Sequence, residues 1–134
     1  MIIYTFEEYL TEPKAIDFYQ MQKLHSDLLS EIGNDAEAME LYGDLIDTAV
    51  KYAEIRARWM RFSREEKMET DSLRTSHHDS LIIHFNMLAR YLRMQGKEAA
   101  WRDQLGYEED DRYNRKTIGD FGCYIVFVNS LGVR

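Results

Sequence analysis

IGDFGCYIVFV, residues 118 to 128, decides between an all-helical chain and a mixed one. Its second half, CYIVFV, is built from the β-branched and aromatic residues that suit a pleated strand. Yet Ile118, Phe121, Ile125 and Val128 recur at intervals of three and four, which is the period of a helix. A strand also needs a partner. The other extended candidate is IIYTF at 2 to 6, and an isolated pair of strands is marginal in water. The stretch is therefore predicted to be a buried helix in spite of Gly119 and Gly122. An all-α fold follows, a helical bundle of about four main helices plus a short connecting helix.

The rest of the chain agrees with that class. Its 134 residues, 45% hydrophobic, with 7 glycines and 1 proline, suit one helical domain over 1–134 with an ordinary core. The apolar runs LII (81 to 83) and CYIVFV fall far short of the ~20 residues of a membrane span. MIIYTFEEYL lacks the basic start of a signal peptide and meets acids at once. A soluble, cytoplasmic protein is expected, with no membrane partner. The single cysteine, Cys123, excludes an internal disulfide, and its apolar neighbours suit a packed thiol. The net charge of -7 is uneven: residues 1 to 55 hold 12 acids and 3 bases, and residues 56 to 134 hold 12 acids and 14 bases. Pairing between helices accounts for such an asymmetry, which also serves to steer a partner.

Helix ends can be read from residue types. Thr11, Glu12 and Pro13 mark an entry, because proline lacks the N–H that would be unsatisfied there. That helix runs to Gly33. Asn34 or Asp35 caps the second, which reaches about Phe62. The third begins between Ser63 and Ser76, which have Glu66 and Asp79 at capping-box spacing, and ends at Gly96. Residues 97 to 105 form the short helix, closed by Gly106, and EEDD at 108 to 111 is a solvated loop.

The second helix has two apolar stripes. Met39, Gly43, Ile46, Val50, Ala53, Ala57 and Met60 follow a four-three spacing, with small residues that admit a close neighbour. Leu41, Leu45, Tyr52, Ile55, Trp59 and Phe62 lie nearly opposite at ~100° per residue. Either this helix sits between neighbours, or another chain covers the second stripe, making it an interaction surface for a homo-oligomer or a protein partner.

Chemistry is sparse. His77, His78 and His84 do not offer the four-residue spacing of a helical zinc site, and His77 and His84 are ~10 Å apart along the axis. No metal and no cofactor are expected. Leu81, Phe85, Leu88 and Leu92 form a core stripe whose backward continuation reaches His78, Arg74 and Asp71. Together with Asp79 these are the candidate catalytic or ligand-binding residues, in which a partly buried histidine would exchange protons near neutral pH. The bland reading is a solvent-exposed end of the bundle. Phosphate-binding glycine loops, calcium loops and serine elbows are missing. Glu37 with Glu40, and Glu66 with Glu69, imitate the paired acids of helical nucleotide pyrophosphatases but have no downstream match. RARWMRFSR at 56 to 64 mixes arginine with aromatics as nucleic-acid surfaces do, but its arginines point in different directions, a second basic group of Arg112, Arg115 and Lys116 is similarly short, and with an acidic chain a nucleic-acid partner is not expected.

KEAAWRDQLG at 97 to 106, followed by RKTIGDFGCYIVFVNSLGVR at 115 to 134, resembles the C-terminal part of a family of small, uncharacterised bacterial helical proteins, a domain of unknown function. The resemblance covers about the last third of the chain. It implies a helical fold and brings no activity and no functional residues. On the residues alone, Trp101 and Leu105 dock the short helix, and Arg102, Arg115 and Asp120 suit a polar network. The function expected is that of an interaction or self-associating module, with an enzyme or small-ligand protein using a cleft near His78 as the alternative.

Overall fold

The computed structural model describes residues 16–59, 61–106 and 115–130, which form five helices and no strand. They are α1 (Phe18–Ile32), α2 (Ala36–Trp59), α3 (Arg64–Met94), the short α4 (Ala100–Asp103) and α5 (Arg115–Ser130). Residues 118 to 128 lie wholly within α5, so the helical period prevails over the strand propensity of CYIVFV. Among the described residues, no helix is long and apolar enough to cross a membrane.

Local chemistry sets the helix ends. Asp17 caps α1 by accepting from the Gln20 N–H at 2.7 Å. Gly33, at φ 51°, closes that helix by donating to the Leu29 carbonyl. The entry expected at Thr11 to Pro13 lies outside the described residues, as does EEDD. Asp35 caps α2, accepting from the Ala38 N–H at 3.1 Å. Of the two starts expected for α3, Ser63 is used, and both halves of its capping box form: Glu66 N–H to Ser63 Oγ at 3.1 Å and Ser63 N–H to Glu66 Oε1 at 2.9 Å.

One apolar core draws on all five helices. Met21, Leu24 and Leu28 of α1, Leu45 of α2, Leu81, Phe85 and Leu88 of α3, Trp101 of α4 and Phe121 and Ile125 of α5 are fully or almost fully buried. Each such side chain contributes about 1.5–3 kcal/mol by leaving water. α2 packs along both α3 and α5. Its buried face is Ala38, Leu45, Ala49, Tyr52, Ala53 and Ala57, with Ile46 and Val50 half-buried on one flank and Leu41, Ile55 and Trp59 on the other. The two stripes are therefore the borders of one broad face, and the alanines between them admit the neighbours. This corrects part of the expected interaction surface: Leu45 and Tyr52 are 0% and 3% exposed and belong to the core. Leu41, Ile55, Trp59 and Phe62 keep part of their surface.

α5 approaches its neighbours through glycine. A Cβ added at Gly122 would stand 2.7 Å from Leu81 Cδ2, and one at Gly119 would stand 2.8 Å from Tyr52 Oη. Leu81 is itself fully buried and has little room to turn away. Gly122→Ala should therefore cost about 1–3 kcal/mol of stability by overpacking, although alanine is the better helix former. Urea unfolding measures this, and an unchanged or raised midpoint would show that α5 can shift outward freely.

Two polar ties fix the remaining elements. Glu31 of α1 accepts from the Ala99 N–H at 3.0 Å and from Trp101 Nε1 at 2.8 Å, holding Ala99 in a left-handed conformation (φ 51°) as the chain enters α4. At the opposite end of α3 from its capping box, Tyr91 donates its hydroxyl to Asp35, with its oxygen 2.8 and 2.7 Å from the two carboxylate oxygens. The Ala38 N–H and then the Tyr91 hydroxyl hold the Asp35 carboxyl below its usual range. The same hydrogen bond, reinforced by partial burial and the facing charge, pushes Tyr91 up to about 12. The signs are opposite: the Asp35 contribution to stability is lost as pH falls through its lowered pKa, and that of Tyr91 as pH rises from ~10 towards 12. Asp35→Asn, which still caps a helix, should return Tyr91 towards the ordinary tyrosine value. An NMR titration of its ring carbons checks this, and an unchanged midpoint would mean that the carboxylate is not the cause.

Candidate functional site

The residues with the most chemical potential meet where α2, α3 and α5 converge. Arg56 of α2 lies on the same face as Ala49, Tyr52 and Ala53, at intervals of four and three, so its guanidinium is carried inward. Asp120 of α5 sits between Gly119 and Phe121 in a stretch, 118 to 126, that is buried on every side of the helix. The two form a salt bridge between Arg56 Nη2 and Asp120 Oδ1, with the side chains 11% and 0% exposed. Cys123 Sγ, one turn further along α5, lies 3.9 Å from Arg56 Nη1. The thiol is buried, and the guanidinium beside it is already balanced by Asp120. This is the setting of a packed cysteine, because an activated one needs an uncompensated positive charge or a base.

His78 lies beside this pair. It is 6% exposed and meets Tyr52 edge to face, with the ring centres 5.0 Å apart. A Cβ at Gly119 would lie 3.2 Å from His78 Nε2, so the backbone of α5 occupies the space in front of that nitrogen. Burial pushes the Tyr52 hydroxyl up, against the opposing pull of Arg56. One turn towards the start of α3, Arg74 is half-buried with its guanidinium 4.5 Å from the centre of the Trp59 ring. Its Nε is buried and has no hydrogen-bond partner among the described residues.

The expected cluster of Asp71, Arg74, His78 and Asp79 thus divides. His78 turns into the core and Arg74 onto Trp59, whereas Asp71 and Asp79 are exposed. His78 is neither at a solvated helix end nor in an open cleft; it is packed. His84 donates from Nδ1 to the Ser80 carbonyl of its own helix at 2.8 Å. Among the described residues, no three His, Cys, Asp or Glu side chains gather as a metal site would require. Of the expected network of Arg102, Arg115 and Asp120, two members have described partners. Asp120 takes Arg56, while Arg102, fully buried, donates to Asn86 Oδ1 at 2.7 Å and to the Gly106 carbonyl at 2.8 Å. The side chain of Arg115 lies outside the described residues. Trp101 and Leu105 do dock the short helix, both buried.

Of the four arginines of RARWMRFSR, Arg58, Arg61 and Arg64 are exposed and Arg56 is half-buried. Arg56 faces Asp120, Arg58 lies 3.7 Å from Glu54, and Trp59 is covered by Arg74 with Lys67 also near it at 5.9 Å.

Two features were not read from the sequence. His25 of α1 is buried, with Nε2 2.7 Å from Tyr42 Oη and its ring edge to face with Tyr124, and burial pushes its pKa down. Its spacing from Met21, Leu28 and Ile32 marks it as a core position. The second is the outward face of α3. Leu73, Ile83, Met87 and Met94 are 49%, 55%, 44% and 80% exposed. They lie on one side of the helix, about opposite the core stripe of Leu81, Phe85, Leu88 and Leu92.

The buried pair has a definite energetic signature. Asp120→Ala removes the buried carboxylate that meets the Arg56 guanidinium and should cost about 3 kcal/mol or more, whereas Arg56→Met with Asp120→Leu should recover most of that loss. Urea unfolding of the single and double variants checks it, and a double variant as unstable as the single one would assign the pair an indispensable role in packing. No family model matches this chain, and no curated protein or solved structure matches it.

Proposed function

We propose that this protein is an interaction module that binds another protein chain through the outward face of α3. The observation that carries the reading is the set of four large apolar side chains exposed along one side of a single 31-residue helix. Scattered apolar residues need no explanation on a surface, but a row on one rigid element is what a helix presents to a partner. The half-buried Leu41, Ile55, Trp59 and Phe62 of the α2 side are a secondary border and lack such exposure. A bacterial and cytoplasmic setting, and kinship with the small bacterial proteins that the tail resembles, belong to the same proposal. They rest on the composition and on residues 97 to 106 and 115 to 134.

The alternative, a ligand or substrate held at His78, has less to rest on. The nitrogen that would face a ligand faces Gly119, and the acids that would assist it are on the surface.

The test is the mass of the assembly in an extract of the source cell and in purified form. The wild-type chain should run above its 16.0 kDa in at least one of these settings. Ile83→Glu with Met87→Glu should run at the chain mass with its helicity unchanged, since both positions are exposed. A wild-type chain of monomer mass in both settings would overturn the reading.

A further inference from the structure

We infer that His25 is a proton-operated latch: a proton taken up by its ring loosens the first half of α1 from α2 and α5 while the rest of the bundle stays closed.

The latch is a relay of hydrogen bonds across three helices. Asn129 of α5 donates from Nδ2 to the Ile125 carbonyl at 2.8 Å and to Tyr42 Oη at 3.4 Å. With its oxygen accepting from Asn129, Tyr42 of α2 directs its hydroxyl hydrogen at His25 Nε2, 2.7 Å away. The imidazole therefore accepts at Nε2, which puts its own hydrogen on Nδ1 and leaves the ring uncharged. A second proton, on Nε2, would set two donors against each other. Tyr42 could then keep the contact only by turning its hydroxyl hydrogen away, and among the described residues it has no other acceptor.

The surroundings of the ring are equally unsuited to a charge. His25 is 8% exposed, and Tyr124 of α5 meets it edge to face with the ring centres 5.9 Å apart. Phe18, two turns earlier on α1, meets the same Tyr124 at 6.0 Å, so the first half of α1 is seated on α5 by aromatic rings. From α2 the titratable group at His25 is Tyr42, and from α5 it is Tyr124; neither is an anion near neutral pH. The described carboxylate of α5, Asp120, lies a turn before Tyr124 and is met by Arg56. On α1 itself Asp17 is taken up with capping, Lys23 pairs with Asp27 on the exposed side, and Glu31 is held by Ala99 and Trp101 of the α4 segment. Burial accordingly holds the His25 pKa below its ordinary 6.5. The sign follows: once released, the ring takes a proton near pH 6.5 that the closed form refuses until a lower pH, so acid favours the opened helix. Between those two values each pH unit multiplies the opened population by up to about ten.

Opening stops part-way along α1 because its second half has separate fastenings. Leu28 and Ile32 are buried in the core, and Glu31 is tied to the entry of α4. In the first half Met21 and Leu24 are fully buried, which keeps the closed form dominant at neutral pH and makes the opened one a minority that protons enlarge. What opening uncovers is the Tyr124 side of α5.

Amide hydrogen exchange, corrected for the intrinsic rate at each pH, reads this opening directly. Between about pH 7.5 and 5.5 the protection of Gln22 to His25 should fall several-fold, while that of Leu88 and its neighbours in α3 should hold. His25→Gln still accepts from Tyr42 and does not ionise, so it should abolish the fall. An NMR titration of the ring carbons in the wild-type chain needs no variant and should place the His25 midpoint below 6.5. A midpoint at or above 6.5 would overturn the latch, as would protection in α1 that ignores pH, a fall shared by all the helices, or the same fall in His25→Gln.

Discussion

Asp120 carries a carboxylate into the centre of the bundle, and the seating of α5 follows from how that charge is met. Taking an ion out of water is repaid only by a partner with good geometry, and Arg56 of α2 supplies it. The salt bridge sets which turn of α5 lies against which turn of α2, while Gly119 and Gly122 let the backbones come close enough to form it. Once α5 is so placed, Tyr52 and His78 are covered and the thiol of Cys123 is enclosed. The polar residues at this junction are thus explained by register and depth of packing. Apolar contacts alone would tolerate sliding along the helix axis more readily than a buried pair does.

The fold class was legible because helical periods persist even where propensity favours a strand. Residues 118 to 128 show this: isolated β-branched residues choose a strand only where another strand is present to share hydrogen bonds. Caps were legible too, since Ser63 and Asp35 act through neighbours within three residues. What could not be read was how the two stripes of α2 are divided among neighbours. Periodicity gives directions around one helix, whereas burial depends on where α3 and α5 stand. Leu45 and Tyr52 are consequently core residues, and Leu41 and Ile55 are its border.

The site shows the same limit. His78, Arg74 and Asp71 share a side of α3, but the helix outruns the elements that cover it, so depth of burial falls from one to the next towards Ser63. Arg56 was hidden for a different reason: in RARWMRFSR it resembles three other arginines, and only its coincidence with the spacing of Ala49, Tyr52 and Ala53 separates it from them. The outward face of α3 was legible in principle, because Leu73, Ile83, Met87 and Met94 fall on one side of the helix at its own period. Its serines and charges conceal it from a search for apolar residues alone.

The Asp35 carboxylate serves the first turn of α2 and the last turns of α3 at once. α2 and α3 are joined at their other ends by the short connection that leads to Ser63. The helical hairpin is therefore fastened both where the chain turns and where its two arms would otherwise splay. Helix ends ordinarily fray independently, turn by turn, on fast timescales. Here the start of α2 cannot unwind without releasing Tyr91, and the end of α3 cannot lift without uncapping α2. Opening at this pole becomes one concerted event for both helices, and amide protons in the two turns would exchange with solvent together.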